Sequence, residues 1–196
     1  MPKAKAPSPI YELKVTLMDI APPIWRRFRV PGDMKLCCLH SALQVVMGWT
    51  DSHLHMFQKD DVNWGVPEWD EFGDLELNEE GDVRVCDVLK AIGESFRYTY
   101  DFGDDWTHEV VLENVQPVAS DSKRPVCIAG ERRCPPEDVG GPHGYQEFLD
   151  AVFDPKHEEF EHYRQWAGKA VHAEEFDMAA VNRKLSRMRW PVRHRR

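Results

Sequence analysis

Apolar and polar side chains alternate from Tyr11 to Leu17, with Tyr11, Leu13, Val15 and Leu17 on one side and Glu12, Lys14 and Thr16 on the other. A period of two predicts a half-buried strand. Ala21-Pro22-Pro23 breaks it, and Ile24, Phe28 and Val30 resume the alternation, so a Pro-rich turn joins two strands into a hairpin. Arg26 falls on the apolar side of the second strand, against the pattern. After Pro31-Gly32-Asp33 the period changes: Leu36, Leu39, Leu43, Val46 and Met47 recur at helical spacing, and Gly48 stops the helix. Residues 54–59 read as a further strand. Residues 60–82 read as an acidic loop broken by Gly and Pro, with Trp64, Trp69 and Phe72 laid on the body. Val85, Val88, Leu89 and Ile92 predict a short helix ending at Gly93.

Phe96, Tyr98, Tyr100 and Phe102 occupy even positions, as do Trp106, Val110 and Leu112. For both sets to share a face of an antiparallel pair, paired numbers must sum to an even value, which requires a loop of odd length. The shortest is Gly103-Asp104-Asp105 with an αL residue in a bulged turn, setting Phe102 opposite Trp106 and Tyr100 opposite His108. Residues 116–144 read as a long Pro- and Gly-rich connection. Helices follow over 145–153, 157–167 and 177–188, the last with Asp177 as N-cap and Val181, Leu185 and Met188 as its buried stripe. The order β-β-α-β-α-β-β and then helices is too irregular for a doubly wound sheet. It predicts a single α+β domain over 10–188 with a mixed or antiparallel sheet, between a disordered tail at 1–9 and a basic tail at 189–196.

Composition narrows the setting. The 196 residues are 42% hydrophobic, with seven Trp, nine Phe and five Tyr, enough apolar surface to build a core. No run of about 18 apolar residues appears, and the opening is polar and Pro-broken, unlike a signal peptide. The expected location is the cytoplasm, with no membrane contact and the five cysteines reduced. The net charge is −9, yet seven Lys or Arg and no acid lie from Arg183 onward, leaving −16 on the rest. Such a body repels nucleic acid except through the basic tail.

Many segments together resemble the family named after the third open reading frame of an Ri plasmid. They include Pro22-Pro23-Ile24-Trp25-Arg26-Arg27, Met47-Gly48-Trp49, Ser52-His53-Leu54-His55-Met56-Phe57, Tyr100-Asp101-Phe102-Gly103-Asp104-Asp105-Trp106 and Cys134-Pro135-Pro136-Glu137-Asp138-Val139-Gly140-Gly141. The resemblance runs in order from about Ile10 to about Leu185. It implies an α+β fold with some β-grasp likeness and an association with mobile elements, and it carries no established activity.

The chemistry rests on a few residues. His53 and His55, two apart on a strand, would project from one face and chelate a divalent metal such as Zn²⁺. Asp101, Asp104, Asp105 and His108 add donors around the hairpin, so the expected metal set is His53, His55, Asp101 and His108. Cys127, Cys134, Glu137 and Asp138 stand on the long connection. The bland alternatives are histidines bonded to neighbouring acceptors and aspartates serving the turn. Glu137 and Asp138 are expected to pair with Arg26 and Arg27. No Walker loop, dinucleotide fingerprint or nucleophile elbow occurs. The leading expectation is a binding or adaptor domain without catalysis, its partner a protein or peptide met by Trp49, Trp64, Trp69 and Trp106 beside acidic residues. The alternatives are a metal-dependent hydrolase or nuclease using the His53/His55/Asp101/His108 cluster, and a DNA-handling accessory protein.

Overall fold

Among the described residues, eight strands form one sheet in the order β5-β4-β3-β6-β7-β1-β2-β8. The computed structural model describes residues 8–70, 73, 75–117, 124–168 and 171–188, so residues 1–7, Phe72 and the tail at 189–196 lie outside it. The strands are β1 Ile10–Leu17, β2 Trp25–Pro31, β3 His55–Lys59, β4 Val62–Gly65, β5 Leu77–Glu79, β6 Ser95–Tyr100, β7 Trp106–Gln116 and β8 Val126–Glu131. The helices are α1 Leu36–Met47, α2 Val85–Val88, α3 Gly141–Phe153, α4 Phe160–Ala167 and α5 Met178–Arg187. All pairings are antiparallel except β4 with β5, so the sheet is mixed. The α+β class follows directly.

The alternation of β1 places Leu13, Val15 and Leu17 in the core, with Phe28 and Val30 of β2 beside them. Leu36, Leu39, Leu43 and Val46 of α1 join the same cluster, and Gly48 ends that helix at φ 105°. On the other face Lys14, Arg27 and Glu113 stay half exposed, with Arg27 paired to Glu113. Helix α5 packs on α1 and β8, with Asp177 as its N-cap, accepting from the Ala180 N–H, and Leu185 fully buried.

Several expectations are corrected. The acidic loop holds β4 and β5, and the long connection holds β8. The helix α2 stops at Val88, leaving Ile92 61% exposed. The hairpin keeps its even parity, but Tyr100 faces Trp106 and Tyr98 faces His108. Its loop is therefore Asp101–Asp105, with αL conformations at both of those aspartates and Phe102 turned outward. Longer aspartate-flanked loops are tolerated because Asp enters αL more readily than most residues.

Arg26 resolves its anomaly through backbone carbonyls. It is 1% exposed, and its guanidinium donates to the carbonyls of Val46 (2.9 Å), Trp25 (2.8 Å), Glu131 (2.7 Å) and Arg132 (2.7 Å), with Phe176 stacked at 3.9 Å. Carbonyl dipoles, one of them at the C-terminus of α1, thus replace the water it loses. Neither Arg26 nor Arg27 pairs with Glu137 or Asp138.

Candidate functional site

Three connections meet at one corner of the sheet. His53 precedes β3, Asp101 opens the β6–β7 turn, and Glu137 and Asp138 follow β8. Antiparallel pairing of β3 with β6 sets His55 opposite Tyr100, which brings the residues just outside each strand together. The third connection is tied in by hydrogen bonds. The Trp49 indole donates to the Pro135 carbonyl (3.1 Å), and the Gly140 N–H donates to Asp104 (3.1 Å). Gly141 has φ +70°, and a Cβ there would lie 2.4 Å from the Asp104 carbonyl oxygen, so only glycine allows this approach.

At the corner, His53 Nε2 lies 3.0 Å from Asp138, 3.5 Å from Asp101 and 3.7 Å from Glu137. One ligand atom each from His53, Asp101 and Asp138 lies within 4.8 Å of the others. Two of the carboxylates are oriented from behind. Asp101 Oδ1 accepts from the N–H groups of Gly103 (3.0 Å) and Asp104 (3.3 Å), while Oδ2 faces His53. Glu137 Oε1 accepts from the Thr50 N–H (2.7 Å) and hydroxyl (3.0 Å), and the Tyr100 hydroxyl spans both of its oxygens. Bonds of about 2.0–2.2 Å to a shared ion would set neighbouring ligand atoms roughly 3.0–3.6 Å apart. The distances from His53 to Asp138 and Asp101 fall in that range, Glu137 lies just beyond it, and the His53, Asp101 and Asp138 atoms all lie within 4.8 Å of one another.

His55 and His108 do not belong to it. The loop holding His53 lies outside β3, so the two histidines share no strand face. His55 is 2% exposed and bonds through Nε2 to Glu80 (2.9 Å), while its ring stacks on His40 at 3.5 Å. Burial holds its pKa below the usual histidine value, against the pull of Glu80. His108 is fully buried, Nδ1 meets the Tyr98 carbonyl (3.0 Å), and burial pushes its pKa down to about 4. Asp105 supports the turn through the Thr107 hydroxyl. Cys127 and Cys134 are buried, and burial pushes both thiols up. Trp49 and Trp106, expected at the surface, are 7% and 1% exposed, so of that set Trp64 and Trp69 keep more surface.

A second set of residues escaped sequence reasoning. His40 joins Asp51 (2.7 Å) through Nε2 and the Tyr98 hydroxyl (2.8 Å) through Nδ1, and with His55, Glu80 and His53 it lines a polar cavity of about 360 Å³. No spacing rule connects positions 40, 51, 55 and 80. The stacking of α1 over β3, with the turn at Glu80–Asp82 packed on α1, brings them together.

Fold and site define the class: an α+β domain on one mixed sheet, with a histidine–carboxylate corner where three connections meet. The chain belongs to the plasmid pRiA4b ORF-3-like protein family, whose pattern matches residues 9–184. It is 41% identical over 177 residues to the uncharacterized protein y4hQ of Sinorhizobium fredii, across 88% of this chain and 86% of that one. It also matches the crystal structure of MM3350, a protein of unknown function from Methanosarcina mazei Go1. That match has a TM-score of 0.78 and 36% identity, covering 87% of this chain and 96% of the other. Among the described residues no helix is long and apolar enough to cross a membrane.

Proposed function

We propose that this chain is a binding domain centred on a divalent cation, held by His53, Asp101 and Asp138 with Glu137 as a fourth donor. The carrying observation is the convergence of these side chains from three separate connections, with one donor atom each of His53, Asp101 and Asp138 within 4.8 Å of the others and Glu137 3.7 Å from His53. The backing of Asp101 and Glu137 by N–H and O–H donors supports it, because outer partners of this kind orient metal ligands. One imidazole nitrogen among carboxylate oxygens suits Zn²⁺ or Mn²⁺. The ion would retain positions for outside oxygen donors beside the polar cavity that His53 also lines. Binding is favoured over hydrolysis because the corner's carboxylates are engaged as ligands and the neighbouring His40 commits both ring nitrogens, to Asp51 and to the Tyr98 hydroxyl. An acidic body favours a protein or peptide partner over nucleic acid. The five cysteines, none in a disulfide, suit the cytoplasm.

Chelator-stripped protein dialysed against Zn²⁺ or Mn²⁺ should take up one equivalent by elemental analysis. A His53→Ala/Asp138→Ala variant should take up none, and Asp101→Asn should bind at least roughly 10-fold more weakly. Substoichiometric uptake by the wild type, or uptake unchanged in the double variant, contradicts the reading.

A further inference from the structure

A cavity of about 330 Å³ opens between the Pro135–Glu137 segment and helices α3 and α4. Its walls are aromatic: Trp49, Tyr145, Phe148 and Trp166 all line it. Phe148 meets Trp166 edge-on at 5.6 Å and lies 6.3 Å from Tyr145, while Trp166 remains 44% exposed. Two polar groups in this lining are uncommitted. Tyr145 is 5% exposed, and its hydroxyl has no hydrogen-bond partner among the described residues. Arg133 is exposed, and among the described residues its guanidinium makes no ion pair or hydrogen bond, although its backbone N–H is held by the Ala173 carbonyl. The adjacent Arg132 is engaged, by the Pro23 carbonyl, Glu131 and Glu174. The Tyr145 residue is buried but its hydroxyl keeps solvent contact, so it is free to donate to a ligand that enters the cavity.

We propose that this cavity binds a small aromatic carboxylate, with the carboxylate held by Arg133 and the Tyr145 hydroxyl and the ring held by Phe148 and Trp166. The chemistry selects each part. Guanidinium donates only and a phenol donates readily, so the complementary group offers two acceptor oxygens, as a carboxylate does. Glu137 lines the same cavity and Glu174 lies near Tyr145, which favours a monoanion over a doubly charged phosphate. The volume is at the low end for small-molecule sites, roughly 300–1,000 Å³, and ring walls favour an aromatic body. The inference goes beyond the cation reading: it uses none of His53, Asp101 or Asp138, although Glu137 borders both sites.

Titration calorimetry with 3-phenylpropionate, 3-phenylpropan-1-ol and propionate on the whole chain tests it, with circular dichroism to confirm that each variant folds. The acid should bind saturably at one site, and the alcohol and propionate should bind at least roughly 10-fold more weakly. Arg133→Gln, an exposed change, should weaken the acid by roughly 10- to 100-fold and leave the alcohol unchanged. Tyr145→Phe should weaken the acid by a smaller factor, and His53→Ala should leave it unaltered, which separates this site from the cation corner. No saturable binding of the acid, equal binding of acid and alcohol, or an Arg133→Gln variant that binds the acid like the wild type overturns the proposal.

Discussion

Burial divides the histidines of this protein into different chemical groups. His53 keeps 30% of its side chain in solvent beside three carboxylates, whereas His108 is fully enclosed and its pKa is pushed down to about 4. The unfolded chain protonates His108 near pH 6.5, so between that value and about 4 the unfolded state holds the extra proton. Stability from this group is thus present above pH 6.5 and lost as the pH falls toward 4, by up to about 3 kcal/mol. Urea titrations at a series of pH values should show this slope, and His108→Phe should flatten it. An unchanged slope in the variant would refute the assignment. Sequence spacing could not make this distinction. His53 and His55 look equivalent two positions apart, yet one lies outside the strand and the other is sealed beneath His40. Arg26 was legible only as an anomaly, since carbonyls brought from α1 and the end of β8 leave no trace in a local pattern.

At the scale of elements, patterning succeeded where one face is apolar and the other polar. The β1–β2 hairpin, α1 with Gly48, and α5 with Asp177 all follow from it. Parity fixed which faces of β6 and β7 agree, but parity does not fix loop length, and the αL aspartates lengthen the turn to five residues. Strand β8 lacks alternation for a specific reason. A Cβ at Gly130 would stand 2.7 Å from Phe176 and 2.8 Å from Arg26, so the strand gives up a side chain to admit the guanidinium. Asn182 of α5 then grips this edge strand, accepting from the Cys127 N–H and donating to its carbonyl, both at 2.8 Å. The turn and the Pro-Pro-Glu-Asp connection depend on Gly141. Gly141→Ala should cost more than about 1 kcal/mol from conformation alone and should also weaken cation binding by forcing Asp104 away. Gly168→Ala is the control, because Gly168 has a similar φ of +65° with nothing within 4 Å of a Cβ. Thermal melts with Mn²⁺ titrations should show both variants destabilised but only Gly141→Ala impaired in binding. Equal cation affinity in the two would show that the close approach does not build the site.

At the scale of the molecule, the sheet order explains why distant residues meet. Adjacent β3 and β6 run antiparallel, so the entry to one and the exit from the other share a corner. Strand β8 is at the far edge, and the chain after it returns across the helical layer to bring Glu137 and Asp138 to that same corner. The family and the α+β class were legible because many segments keep their order along the chain. The corner was partly legible: His53, Asp101, Glu137 and Asp138 were singled out, but their separation from His55 and His108 depends on strand limits and burial. Anomalous diffraction from crystals grown with Mn²⁺ tests the central claim most directly. The account predicts a peak about 2.0–2.3 Å from His53 Nε2 and from oxygens of Asp101 and Asp138. Crystals with Mn²⁺ bound elsewhere, or with His53 hydrogen-bonded to the three carboxylates and no peak between them, would contradict it.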